Sequence, residues 1–191
     1  MKVKSVLKYS PHVILFLSTL ALAAPVSVDT QKSKLTVRVY KSGFFSAFAH
    51  DHEISAPIDS GSFAEENPSV EISITASKLK VMDKESSDSE KEKIQTKMLG
   101  PEVLDAAQFK EIRFHSTKVE GAGGAAWQVT GDLTVHGQTH PVTFKVTKSN
   151  GHYQGTAELK QTGFGMAPIS IAGGSVKVKD VVKIEFDVVG Q

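Results

Sequence analysis

The sequence predicts an all-β protein, a closed antiparallel barrel or a sandwich of at least eight strands, broken by one helical segment. Three observations carry that prediction. Apolar residues recur with period two along most of the chain, the mark of strands with one buried face. Turn residues separate those runs at spacings too short for helical crossovers, so consecutive strands join as hairpins. With 191 residues, 40% hydrophobic and 23% charged, the chain has ordinary globular composition and one sizeable core, with no second domain to cover an open sheet; closure then removes the edges.

The elements follow in order. Lys2, Lys4 and Lys8 precede an apolar run from Val13 to Leu22 and the small residues Ala21, Ala23 and Ala24, the pattern of a secretory signal peptide cleaved after Ala23. A run of about ten apolar residues falls short of the roughly 20 that span a bilayer. Residues 24–191 are then the mature domain. Leu35, Val37 and Val39 alternate with Thr36, Arg38 and Tyr40, and Val70, Ile72, Ile74 and Ala76 alternate with polar neighbours. Residues 86–98 break the pattern: they are polar and rich in helix formers, with Ser87 or Asp88 as N-cap, an apolar stripe of Ile94, Met98 and Leu99, and a stop at Gly100-Pro101. A second short helical turn is expected over 102–107, which makes a helical insertion of about 87–107, before a strand near Lys110. Alternation returns over 129–135, 142–147 and 182–188. The turns are expected at Asp59-Ser60-Gly61, Gly121 to Gly124, His136-Gly137-Gln138, Ser149-Asn150-Gly151 and Ala172-Gly173-Gly174.

Charge and cysteine content exclude several chemistries. There are 22 basic and 21 acidic residues and no Cys. The leader holds three Lys and no acid, so the mature chain carries 19 basic against 21 acidic residues, a net −2. No broad basic face for nucleic acid stands out. Without Cys there is no disulfide, thiol nucleophile, iron–sulfur cluster, thiolate zinc site or lipid-anchored cysteine. The chain also lacks a Gly-x-Ser-x-Gly elbow, His-Glu-x-x-His, a P-loop and a dinucleotide fingerprint, so no enzyme is expected.

Residues 129–144, Val-Thr-Gly-Asp-Leu-Thr-Val-His-Gly-Gln-Thr-His-Pro-Val-Thr-Phe, resemble the hairpin signature of the YceI-like family. Three further segments agree in order: Lys97-Met98-Leu99 through Asp105, Phe109, Ile112, Phe114, Ser116 and Thr117; Phe164-Gly165-Met166 followed by Val182-Lys183-Ile184-Glu185; and Gly43 to His52. The resemblance covers nearly all of the mature chain. It implies a lipocalin-like, eight-stranded antiparallel barrel that is periplasmic or secreted, needs no cofactor, and holds an isoprenoid lipid, a polyprenyl phosphate or a quinone, in an apolar tunnel. A homodimer is left open.

Phe and Met offer broad, adaptable surfaces to a flexible polyene, so the tunnel candidates are Phe44, Phe48, Met98, Leu99, Phe109, Phe114, Phe144, Phe164 and Met166, with Trp127 more naturally a structural anchor. His50 and His52 share the face of Phe48 if the strand continues, and i, i+2 imidazoles can chelate one metal. They are two ligands, and the spacing singles out no third among Asp51, Glu53, His115, His136, His140 and His152. In the carrier reading the same pair contacts a head group, with Arg38 or Arg113 supplying charge for a phosphate. The alternative is a metal-dependent or redox-linked protein built on His50 and His52, and a third reading is a filled barrel used for protein contact.

Overall fold

Period-two patterning becomes strands in the computed structural model, which describes residues 24–42, 51–171 and 176–191. Residues 1–23, where a signal peptide is expected, together with Phe44, Phe48, His50 and the Ala172–Gly174 turn, lie outside the described residues. The strands are β1 (Val26–Ser27), β2 (Lys34–Ser42), β3 (His52–Ser55), β4 (Ser60–Ala64), β5 (Ser69–Thr75), β6 (Lys80–Val81), β7 (Glu111–Gly121), β8 (Ala126–Val135), β9 (Gln138–Ser149), β10 (His152–Lys160), β11 (Ser170–Ile171) and β12 (Val176–Val189). All pair antiparallel in one curled sheet of spatial order β1-β4-β5-β7-β8-β9-β10-β12-β2-β3-β6, with β11 beside β12. At one end the sheet meets itself: Val28 bridges Gly190, the Asp29 N–H donates to the Val189 carbonyl at 2.8 Å, and the Gln191 N–H donates to the Ser27 carbonyl at 2.9 Å.

The expected eight strands are not what is found. Twelve are present among the described residues; three of them, β1, β6 and β11, are two-residue segments made by pairing, too short to carry a period. Three hairpins use the turn chemistry foreseen, the first joining β7 to β8 through Gly123 and Gly124 (φ 88° and 57°). His136 and Gly137 (φ 51° and 70°) link β8 to β9, and Asn150 and Gly151 (φ 50° and 81°) link β9 to β10, consecutive left-handed residues that match the strand twist. Asp59-Ser60-Gly61 is not a hairpin turn. Ser60 and Gly61 open β4, and the Asp59 carboxylate accepts from the Thr75 N–H and from Lys78.

Helix α1 (Asp88–Leu99) starts at a capping box in which Ser87 Oγ accepts from the Glu90 N–H and the Glu90 carboxylate accepts from the Ser87 N–H. Gln95 fastens it to the sheet, accepting from the Val81 N–H at 2.9 Å and donating to the Leu79 carbonyl at 2.7 Å. The helix ends at Gly100, and the second helical turn is absent. The chain doubles back instead, with the Val103 and Asp105 N–H groups both donating to the Gly100 carbonyl and Leu104 to that of Met98. Reversal wins over helix because it buries Val103, Leu104 and Ala106, about 1.5–3 kcal/mol for each large side chain. The main core lies here, where Met98, Val103 and Leu104 pack on Ile54, Ile74, Leu79 and Val81; a smaller cluster of Val28, Ile58 and Phe63 sits apart from it.

Candidate functional site

The inner face of the sheet does not fill its own interior. On β2, Leu35, Val37, Val39 and Lys41 share one face and stand opposite Phe186, Ile184, Val182 and Val178 of β12. Most are only half-buried, because they border a cavity of ≈ 620 Å³, within the range of small-molecule sites. Its wall is almost wholly apolar. From Val178 to Val188 the wall follows ten residues of β12, about 33 Å of strand, which a strand tilt of 35–45° shortens to about 25 Å along the axis.

An aromatic row crosses this wall, with ring centroids 5.3 Å apart for Phe114 and Phe144 and 5.4 Å for Phe144 and Phe186. Glycines make room for it. A Cβ on Gly155 would meet Phe186 Cζ at 2.5 Å, and one on Gly131 would meet Phe114 Cζ at 2.5 Å. Thus two rings reach over bare backbone where any side chain would collide with them.

The two ends differ in charge. Where α1 crosses, Lys41, Lys93, Lys97, Lys177 and His52 border the cavity. Lys97 pairs with Glu102 at 3.1 Å; the His52 Nδ1–H donates to the buried Asp83 at 2.6 Å, whose other oxygen accepts the Glu53 N–H. At the far end stand Phe63, Trp127, Tyr153, Val188 and Glu65. There the Tyr153 hydroxyl donates to Glu65, and Lys148 donates to the same carboxylate at 2.7 Å. Lys148 and the Tyr153 hydroxyl hold the Glu65 carboxyl below its usual range, the pairing with Glu65 raises Lys148, and burial pushes the Tyr153 hydroxyl up.

Of the residues singled out by sequence, Met98, Phe114, Phe144, Met166 and His52 border the cavity. Leu99 packs against the core from outside the lining. Phe109 turns its ring edge-on to His136 at 4.7 Å, and Phe164 is buried against His140 at 5.2 Å. Both fix the β8–β9 turn and do not line the cavity, and the His136 ring donates to the Phe164 carbonyl at 3.1 Å. Trp127 does line it. Arg38 bridges Glu53 and Glu185 on the outer face, and Arg113 pairs with Glu111, so neither guanidinium borders the cavity. Sequence reasoning passed over Ile72, Ile112, Val142, Leu159 and Ile184 because Val, Ile and Leu at alternate positions read equally well as solid core. It also passed over the lysines, although Lys41 stands where the Leu35-Val37-Val39 alternation calls for another apolar residue.

The imidazoles are dispersed. His115 pairs with Glu71 at 3.0 Å and His152 with Asp187 at 2.7 Å, both exposed. Among the described residues no group of three or more His, Cys, Asp or Glu could hold a metal ion.

Comparison with known proteins adds sequence and fold relatives. The family model described as YceI-like domain matches residues 26–190. A "UPF0312 protein" of Pseudomonas fluorescens is 52% identical over 46 residues, 24% of each chain, and one of Pseudomonas savastanoi is 37% identical over 76 residues, 34% of this chain and 39% of its own. The matched stretches therefore span between a quarter and two fifths of those relatives. Among solved structures, BcnA of Burkholderia cenocepacia superposes with a TM-score of 0.65 at 22% identity, covering 86% of this chain and 99% of its own. A YCEI protein of Campylobacter jejuni gives 0.50 at 13% identity over 97% and 99%. At such identities the likeness is one of fold.

Proposed function

We propose, from the fact that the chain belongs to the YceI-like family, that it is an exported carrier which sequesters one long isoprenoid lipid, a polyprenyl phosphate or a quinone, inside the curled sheet. The family is known as a lipid- and polyisoprenoid-binding fold, and its members are binding proteins rather than enzymes. The single observation that carries the reading is the continuous apolar cavity of ≈ 620 Å³. Each buried methylene is worth about 0.8 kcal/mol, so a five-carbon isoprene unit contributes about 4 kcal/mol. Association costs an estimated 4–15 kcal/mol, which about one to four such units offset. Affinity in this scheme grows with tail length, and polar groups at the ends set orientation. The leader-like residues 1–23 and the family's periplasmic habit support export to the periplasm. No helix of the described residues is long and apolar enough to cross a membrane.

The test is to purify the protein from its own compartment without chelator, record native mass spectra, and analyse solvent extracts together with metal content. One isoprenoid per chain is expected. An empty protein carrying one metal per chain, lost in His52→Ala, would overturn the reading.

A further inference from the structure

The lysines at the α1 end come from three separate elements: Lys41 from β2, Lys93 and Lys97 one turn apart on α1, and Lys177 from β12. Each borders the cavity. Lys177 and its neighbour Val178 both border the cavity, just before the irregularity in the β2–β12 register between Val178 and Val182. Helical spacing sets Lys93 and Lys97 on the same face as the cavity residues Ile94 and Met98. Their aliphatic stems continue the apolar wall while the ammonium groups reach water; Lys93 and Lys177 are exposed. No carboxylate lines the cavity at this end, although Glu102 pairs with Lys97 at 3.1 Å from outside the lining. Among the described residues, the one carboxylate in the lining is Glu65, ten β12 residues away, and Lys148 neutralises it. The cavity is thus a nonpolar passage with a cationic rim at one end and a neutral, aromatic floor at the other.

Resting on the carrier reading above, we infer that the passage is polarised: it selects lipids with an anionic head group, phosphate or carboxylate, and seats that group among Lys93, Lys97 and Lys177 with the tail end against Trp127 and Phe63. Lysine suits this task as a mobile point charge that accepts either oxyanion without a fixed fork geometry. The neutral far end offers an anion no compensating charge.

Trp127 is the sole tryptophan of the chain, so its fluorescence reports which end of a ligand lies beside it. The probes are hexadecanoate brominated at its methyl end and the isomer brominated next to the carboxylate. With wild-type protein the methyl-end bromide quenches Trp127 strongly and the other isomer leaves its emission nearly unchanged. In parallel, geranylgeranyl phosphate and geranylgeraniol are titrated against wild type and a Lys93→Gln, Lys97→Gln, Lys177→Gln variant. The preference for phosphate over alcohol falls roughly tenfold or more in the variant, since a charge a few ångströms away is worth several-fold even across water. Equal quenching by both bromides, stronger quenching by the head-labelled one, or an unchanged preference in the variant overturns the polarity. Failure of wild type to bind any of the four probes overturns the carrier reading itself. The quenching arm needs no substitution, so misfolding of the triple variant does not blunt the test.

Discussion

Ala157→Asp is the sharpest test of the apolar passage. Ala157 lies on β10 opposite Ile184, two residues from the Gly155–Phe186 pair and midway along the wall, and it borders the cavity without being fully buried. Its methyl group makes little packing, so replacing it removes almost nothing from the core, and strand preference alters stability by about 1 kcal/mol at most. In the empty protein the new carboxylate faces a water-accessible cavity and stays hydrated. A bound hydrocarbon tail strips that water away and supplies no hydrogen bond. Even for a neutral polar group that costs about 1–3 kcal/mol in proteins, and for a charge more, so affinity drops by at least about 3 kcal/mol, or roughly 150-fold. Ala157→Asn, of similar shape and no charge, loses about 1–3 kcal/mol. The tail disfavours the ionised form, so the carboxyl in the complex titrates above the ordinary 3.9 of an aspartate, and binding recovers as pH falls through that raised value. The assay is displacement of a fluorescent polyene from the purified domain, with urea unfolding to verify the fold. An Ala157→Asp protein that folds and retains the polyene as wild type does would refute the argument that tails occupy this passage.

Three other outcomes test the scaffold. Gly155→Val should lower stability by roughly 1–3 kcal/mol or more in urea unfolding, since its Cβ meets the Lys145 carbonyl oxygen and the Phe186 ring. Ser87→Ala should cost about 1 kcal/mol and speed amide exchange in the first turn of α1, where the capping box is lost. The Glu185 carboxyl is held below its ordinary 4.5 by Arg38 and then Lys183, so its contribution is fully present above that value and disappears as pH falls from there through the lower folded-state pKa. Arg38→Met should flatten stability over that acid window by roughly 0.2–1 kcal/mol, the scale of an exposed pair, read from urea midpoints at successive pH values.

The sheet was legible because β-sheet patterning is local: Leu35 to Tyr40 or Val182 to Val188 announces its buried face with no knowledge of its partners. The Asn150-Gly151 turn and the Ser87 cap were legible for the same reason, each being a short-range solution to backbone geometry. What depended on pairing was not. A two-residue strand such as β6 has no period, and it exists because Ile54 and Val81 meet across the sheet. The site divides along the same line. Residue type nominates Phe114 and Phe164 alike, but only the three-dimensional arrangement separates a ring bordering a cavity from one wedged against His140. Residue type misled in one direction, since Phe and Met drew notice while the aliphatic wall did not. Lys41 did carry a local signal, a charge where an apolar residue was due, and its meaning depended on knowing that the strand ends at a rim.

A sheet that leaves its inner face half-exposed forgoes part of the burial that would otherwise stabilise it, at about 25 cal/mol per Å², and this chain has no disulfide to offset the loss. The compensation is spatially arranged. The main buried cluster runs from the α1 end, where Met98, Val103 and Leu104 press on the sheet, along the wall through Phe114, Val129 and Val146, and a small second cluster sits at the self-meeting end. Between them the wall relies on its ladder of backbone hydrogen bonds and on side-chain pairs of the outer face, such as Arg38 between Glu53 and Glu185, or Thr130 beside Thr143 at 2.9 Å. That division explains why the aromatic row rests on Gly131 and Gly155 rather than on larger residues: filling those positions would improve a core and close a passage. The hollow is therefore a feature the sequence maintains at the expense of stability, and an apolar ligand would restore the burial the empty sheet lacks.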